Sequence, residues 1–181
     1  MVKRRAFALA ALAAIAASAC AGGGSGQTTP QETARAYKEA VAGQNWERAF
    51  KYLTRNAEGA LIGLAFITAS YGAPVDLETI QSYQRFLEEH GIDTSDGDRR
   101  DSTLAALEDR AGFFSDMVDW IEASLPDTLG GNVFVQASEQ MAAAEFTDFE
   151  VGDETAYAQM VTPESSRRVR FRKIDGRWFI D

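Results

Sequence analysis

The spacing of the apolar residues changes once along this chain, near Gly130-Gly131, and that change sets the fold class. Before it, apolar residues recur at intervals of three and four, the signature of one buried helix face. After it they alternate, the signature of a strand with one face buried. Helices followed by hairpin-linked strands predict an α+β fold, with helices layered on an antiparallel sheet.

In the second half, strands are predicted at Val133–Ser138, Glu145–Val151, Thr155–Val161, Arg167–Ile174 and Arg177–Ile180. Gly152-Asp153 and Asp175-Gly176 read as two-residue hairpin turns. Asp-Gly is a strong signal, because both central residues of such a turn need positive φ. Pairing Ile174 with Arg177 puts Phe171 opposite Ile180 and Lys173 opposite Trp178. Val169, Phe171, Trp178 and Ile180 then share one face, the expected core face.

In the first half, Thr29-Pro30-Gln31-Glu32 is a capping box with Pro at the first helical position, and Gly43 is the stop. Asn45 caps a short helix carrying Trp46, Ala49, Phe50 and Leu53 on one stripe. Ala57–Tyr71 is nearly all apolar or small and reads as a buried helix, too short to span a bilayer. Gly72-Ala73-Pro74 breaks the chain. Asp76 caps a helix running to about His90. Asp93–Asp101 reads as a polar loop, and Ser102–Leu125 as one long helix ended by Pro126.

The N-terminus carries an export signal. Lys3-Arg4-Arg5 is a basic segment, and Ala6–Ala17 is apolar and uncharged, about 18 Å of helix and well short of a bilayer core. Arg4-Arg5-Ala6-Phe7 also looks like the core of a twin-arginine motif, so the export route stays open. Ala17-Ser18-Ala19-Cys20 resembles the lipobox of bacterial lipoproteins, with Ala17 where Leu is usual. There the cysteine becomes the first residue and carries lipid acyl chains such as palmitate. Cys20 is the single cysteine, and a Gly-rich tether follows it. The expected organisation is therefore signal 1–19, lipid-attached tether 20–28, and one α+β domain 29–181 with a helical insert at 57–131. Removing 19 residues from 181 leaves 162, enough for a domain with its own core. Net charge is −9, and loss of the three N-terminal cations with the signal takes it to −12. That balance excludes a nucleic-acid partner, which needs a basic surface.

Two stretches resemble the nuclear-transport-factor-2-like cone fold found in small bacterial lipoproteins of unknown function. The first is Gln31–Thr54, with its Trp46-Glu47-Arg48-Ala49-Phe50 pattern; the second is the closing hairpin Val169–Asp181. The resemblance implies a curved, cone-like antiparallel sheet wrapped on helices, with a pocket at its wide end. The superfamily includes isomerases and dehydratases, but no enzyme motif of that group is matched, so no catalytic residue carries over. Ala57–Gly131 is longer and more helical than the usual cone insert.

Candidate site residues are few. Arg168, Arg170 and Arg172 alternate along one strand, so they share a face that could hold an anion or be paired across strands, for instance Arg170 with Asp181. Asp148, Glu150 and Tyr157 fall on neighbouring strands, where paired acids and a phenol could move a proton. His90 is the single histidine and reads as a favourable charge at a helix C-terminus. Asp93, Ser95, Asp96 and Asp98 fail the register of a calcium loop. No cofactor motif is present, and one His with one lipidated Cys makes no metal site. The expectation is an exported, membrane-anchored envelope protein that binds an unidentified protein or small ligand without catalysis. The alternative is a cone-fold enzyme acting on a small, partly apolar molecule.

Overall fold

A computed structural model describes residues 26–72, 76–95 and 97–181. The export signal, Cys20 and the tether up to Ser25 lie outside the described residues, as do the break at Ala73-Pro74 and Asp96 of the acidic loop. Among the described residues the fold is α+β, with seven α-helices and one four-stranded antiparallel sheet in the order β1-β2-β3-β4. The helices are α1 (Pro30–Ala42), α2 (Trp46–Phe50), α3 (Arg55–Gly72), α4 (Leu77–Glu89), α5 (Gly97–Ala106), α6 (Arg110–Ser124) and α7 (Val133–Ala143). The strands are β1 (Glu145–Val151), β2 (Thr155–Val161), β3 (Ser166–Ile174) and β4 (Arg177–Ile180). The chain divides into two compact units, one of residues up to 61 with 133–181, the other of 62–132.

In the first unit, α1 starts as its capping box dictates. Thr29 Oγ1 accepts the Glu32 amide at 3.2 Å, and Gly43 closes the helix. Asn45 caps α2 through the Arg48 amide at 3.0 Å. Helix α1 lies against α2, α7, β1 and β4. Thr33, fully buried, donates its hydroxyl to the Trp178 carbonyl at 2.9 Å, tying α1 to the last strand.

The sheet has the expected register, with Phe171 opposite Ile180 and Lys173 opposite Trp178. Asp175 and Gly176 adopt φ of 50° and 78°, as their turn requires. Val169, Phe171, Trp178 and Ile180 are all buried. The outer edge of β4 is covered by two short segments. Gln27 exchanges backbone hydrogen bonds with Trp178 at 3.3 and 2.8 Å, so Gly26–Thr28, read from the sequence as the end of the tether, are packed on the sheet. Leu53 runs parallel to Ile180, with the Thr54 amide 2.8 Å from the Ile180 carbonyl. Both segments satisfy edge groups that would otherwise invite another strand. On the opposite edge, β1 is bent by a bulge between Thr147 and Glu150, where Asp148 takes φ of 51°.

Four expectations are corrected. Val133–Ser138 is not a strand but the start of α7. Its β-branched residues favour a strand locally, yet Phe134, Ala137, Ser138 and Met141 form a helical stripe that is buried, and Phe134 meets Trp46 edge-to-face at 5.9 Å. Burial of that stripe overrides the local propensity. The expected single helix over Ser102–Leu125 is two. Asp109 accepts the Gly112 amide at 2.8 Å and starts α6 afresh, while α5 begins at Gly97, inside the stretch read as a loop. The β1–β2 connection is a three-residue loop, Gly152 to Glu154, closed by the Gly152 amide on the Thr155 carbonyl at 2.9 Å. Finally, α3 is not buried all round, since Ile67 and Tyr71 are exposed.

The second unit has its own aromatic core. Tyr83 lies between Phe66 and Trp120, with ring centroids 6.1 and 4.9 Å away, and Phe86 continues the cluster to Phe113 at 5.8 Å. Burial pushes the Tyr83 phenol up to about 12, partly offset by its hydrogen bond with Ser70.

Candidate functional site

Strand β3 presents two different faces. Val169 and Phe171 point to the helices, and the arginines between them point the other way. Arg168 donates to Glu150 at 2.6 Å and stacks over the Tyr157 ring, with its guanidinium carbon 3.9 Å from the centroid. Glu150 and Tyr157 are register partners on β1 and β2. Glu150 is thus held by a cation on an exposed surface. Asp148 is drawn out of the row by the bulge, where it accepts the Thr147 hydroxyl at 3.1 Å.

Arg170 and Arg172 converge on one carboxylate. Asp181 follows β4, and its amide donates to the Arg170 carbonyl at 3.0 Å, which places it beside Arg170. Its Oδ2 meets Arg170 and, at 3.0 Å, Arg172. Its Oδ1 accepts the Thr54 hydroxyl at 2.9 Å. The carboxylate is 1% exposed, whereas the two arginine side chains keep 26% and 27% of their surface. The carboxylate therefore depends on the two guanidinium groups for its charge balance.

A pocket opens in the first unit on the helix side of the sheet. Its walls are apolar: Leu53, Ala57 and Leu61 on one side, Met141 of α7, and Phe146, Met160, Val169 and Ile180 from the four strands. The polar residues lining it are Tyr37 of α1 and Asp181. Its volume is about 30 Å³. Tyr37 is deeply buried, and this burial pushes its phenol well above its usual range.

No family model, curated protein or solved structure matches this chain. The site is therefore read from its own chemistry. Among the described residues, no group of three or more His, Cys, Asp or Glu side chains could hold a metal ion, and no helix is long and apolar enough to cross a membrane.

Of the residues singled out from the sequence, the structure brings together Arg168 with Glu150 and Tyr157, and Arg170 and Arg172 with Asp181. It leaves Asp148 in the bulge. None of Arg168, Arg170, Arg172, Asp148, Glu150 or Tyr157 lines the pocket. The sequence reading missed Tyr37 as a pocket residue, because it sits on the apolar stripe of α1 and reads as core.

His90 lies in the second unit, at the end of α4, as expected. Its environment is not that of a surface residue. The ring stacks on Phe86 at 4.4 Å and meets the Phe113 edge at 5.2 Å. Nδ1 lies 3.0 Å from the Phe86 carbonyl and Nε2 lies 3.0 Å from Asp116, which joins α4 to α6. A surface substitution changes stability by about 0.5 kcal/mol or less. His90→Gln is expected to exceed that, at about 1–2 kcal/mol, from the lost ring packing and a partly solvated hydrogen bond. Denaturant unfolding of the two proteins checks this, and equal midpoints would refute it.

Proposed function

We propose that the protein is a lipid-anchored module of the bacterial cell envelope that binds rather than transforms its ligand. Export rests on the N-terminal segment and anchoring on Cys20. The non-catalytic reading rests on one observation. The only carboxylate among the pocket-lining residues, Asp181, is already held by two guanidinium groups and a hydroxyl. A general base needs a proton donor within reach and a lone pair to spare. Tyr37, the other polar residue there, holds its proton more tightly than usual because it is buried. Helix α1 packed on the sheet, with the apolar pocket lined by α1, α3, α7 and the strands, supports the resemblance to the cone fold, which belongs to the same proposal.

The anchor is tested by expressing the full chain and its Cys20→Ala variant in a bacterium fed labelled palmitate. The wild type is expected to take up label and sediment with membranes. The variant is expected to be processed, unlabelled and soluble. An unlabelled wild type, or a processed variant that stays with membranes, would overturn it. The non-catalytic reading fails if purified protein turns over any member of a panel of small ketones, esters and epoxides and Asp181→Asn abolishes that turnover.

A further inference from the structure

We propose that an exposed apolar patch of the second unit, formed by Ile67 and Tyr71 of α3 with Leu77 and Leu129 beside them, beds into the interface of the bilayer that holds Cys20. This rests on the anchor reading above and names the surface that meets the lipid. Three observations carry it.

The first is the patch itself. Six large apolar side chains are exposed among the described residues, and four of them belong to this unit: Tyr71 at 82%, Leu77 at 69%, Ile67 at 54% and Leu129 at 44%. Exposed apolar residues scattered singly are ordinary, but these are gathered. Ile67 and Tyr71 stand one turn apart on one face of α3. Four residues join α3 to α4, and Tyr83 of α4 comes back to the Phe66 ring at 6.1 Å and the Ser70 hydroxyl at 3.3 Å. Leu77 therefore starts α4 at the end of α3 where Tyr71 stands. Gly130 lies so close to α3 that a Cβ there would stand 3.0 Å from the Thr68 methyl, which brings its neighbour Leu129 to the same part of the helix.

The second is charge. Helix α3 has no charged residue from Gly59 to Gly72, in a chain whose net charge is −9. Acidic surface is repelled by anionic lipid, and the arginine row of β3 is already committed to Glu150 and Asp181. An uncharged apolar surface gains from lipid without that repulsion. Tyr71 suits the boundary, because its ring can enter the acyl region while its hydroxyl stays wet. The other face of α3 is spent inside the protein, where Leu61, Ile62, Ala65 and Ala69 are buried, so the helix lies along the surface and does not cross it. Asp76 and Glu78 flank Leu77, and Asp127 precedes Leu129 by two residues. These acids keep the contact shallow and favour zwitterionic lipid.

The third is the tether. Gln27 exchanges backbone hydrogen bonds with Trp178, so the chain between the lipid and the folded body runs only from Cys20 to Gly26. That length spans about 21 Å at most, at about 3.5 Å per residue. A body held so closely meets the bilayer at an effective concentration in the millimolar range. A contact too weak to recruit the free chain therefore forms once the chain is anchored.

The chain from Cys20 onward is coupled through that thiol, its single one, to a maleimide lipid in phosphatidylcholine vesicles. Coupling supplies the anchor whether or not a cell does. Tyr71→Trp adds a reporter at a side chain with no packing role, and Val151→Trp adds one in the first unit; the parent chain supplies the background from Trp46, Trp120 and Trp178. When the vesicles are built of brominated lipid, the emission added at position 71 is expected to fall by about half. The emission added at position 151 is expected to be unchanged. Ile67→Asp, placed beside Tyr71→Trp, is expected to abolish the quenching, and Leu129→Asp reads the same loss from another element should Ile67→Asp lower the unfolding midpoint. Replacing part of the lipid by phosphatidylglycerol is expected to weaken the quenching. Equal emission from position 71 in ordinary and brominated lipid would overturn the proposal, as would quenching at position 151 equal to that at 71. Quenching that survives both aspartate variants, or grows with phosphatidylglycerol, would overturn it too. So would a dimer of the uncoupled Cys20→Ala chain that Ile67→Asp disperses, since the patch would then belong to a second copy. None of these outcomes touches the palmitate result, so the lipid-facing patch and the envelope anchor fail separately.

Discussion

Phe171→Ala is expected to destabilise the first unit by about 3–5 kcal/mol, the range for truncating a fully buried aromatic side chain. Phe171 has no exposed surface and lies at the centre of the sheet, with Ala156 and Ile180 as register partners and the Phe149 ring 6.0 Å away. The small side chain of Ala156 leaves the space that the Phe171 ring occupies, so truncation opens a cavity between strands held by their ladders and unable to collapse into it. Total stabilities of domains run at about 5–15 kcal/mol, so the variant would sit near the edge of folding. Denaturant unfolding followed by fluorescence of Trp46 and Trp178 reports on the first unit, while Trp120 belongs to the second. Val151→Ala on β1, where the side chain is 55% exposed, is expected to change stability by no more than about 0.5 kcal/mol. A Phe171→Ala midpoint equal to that of Val151→Ala would refute the placement.

Asp181→Ala is expected to destabilise by about 3 kcal/mol. Breaking a buried ion pair by removing one partner usually costs about 3–5 kcal/mol, because the other charge is left behind. The low end applies because Arg170 and Arg172 each keep about a quarter of their side-chain surface in water. The variant also strips Thr54 of the acceptor for its hydroxyl. Removing the charges together should behave differently: Arg170→Met and Arg172→Met combined with Asp181→Leu are expected to recover most of the loss, since apolar replacements of a buried ionic cluster are often neutral or better. If the triple variant is less stable than Asp181→Ala, the loss comes from packing and not from stranded charge. If Asp181→Ala matches wild type, the cluster is not a structural element.

The readings that succeeded from the sequence were those decided within a few residues. The capping box at Thr29, the Asn45 cap and the Asp175-Gly176 turn each rest on a hydrogen bond or a φ value that the local residues impose. The hairpin turn then fixes the register of β3 and β4, so the face carrying Phe171 and Trp178 follows. The misreadings have a common origin too. In α7 the local preference of Val133-Phe134-Val135 for a strand lost to a buried helical stripe, which packs on α1 and meets Trp46 of α2 through Phe134. At Asp109, an acidic residue that looks like part of a helix surface became a cap by turning its carboxylate onto the Gly112 amide.

The candidate site divides in the same way. Alternation by itself places Arg168, Arg170 and Arg172 on one face, because a strand turns its side chains out every second residue. It also makes Arg170 the neighbour of Asp181 once the turn is known. What alternation cannot decide is what each arginine meets at its tip, since a guanidinium reaches across strands that are distant in sequence. The tertiary structure gives Arg168 to Glu150 and draws Arg172 with Arg170 onto the single Asp181 carboxylate. Tyr37 is the sharper case. The period of α1 determines that its ring points inward with Ala34 and Val41. Whether its hydroxyl ends against an acceptor or in open space depends on α3, α7 and all four strands at once, because a cavity is what several surfaces jointly fail to fill.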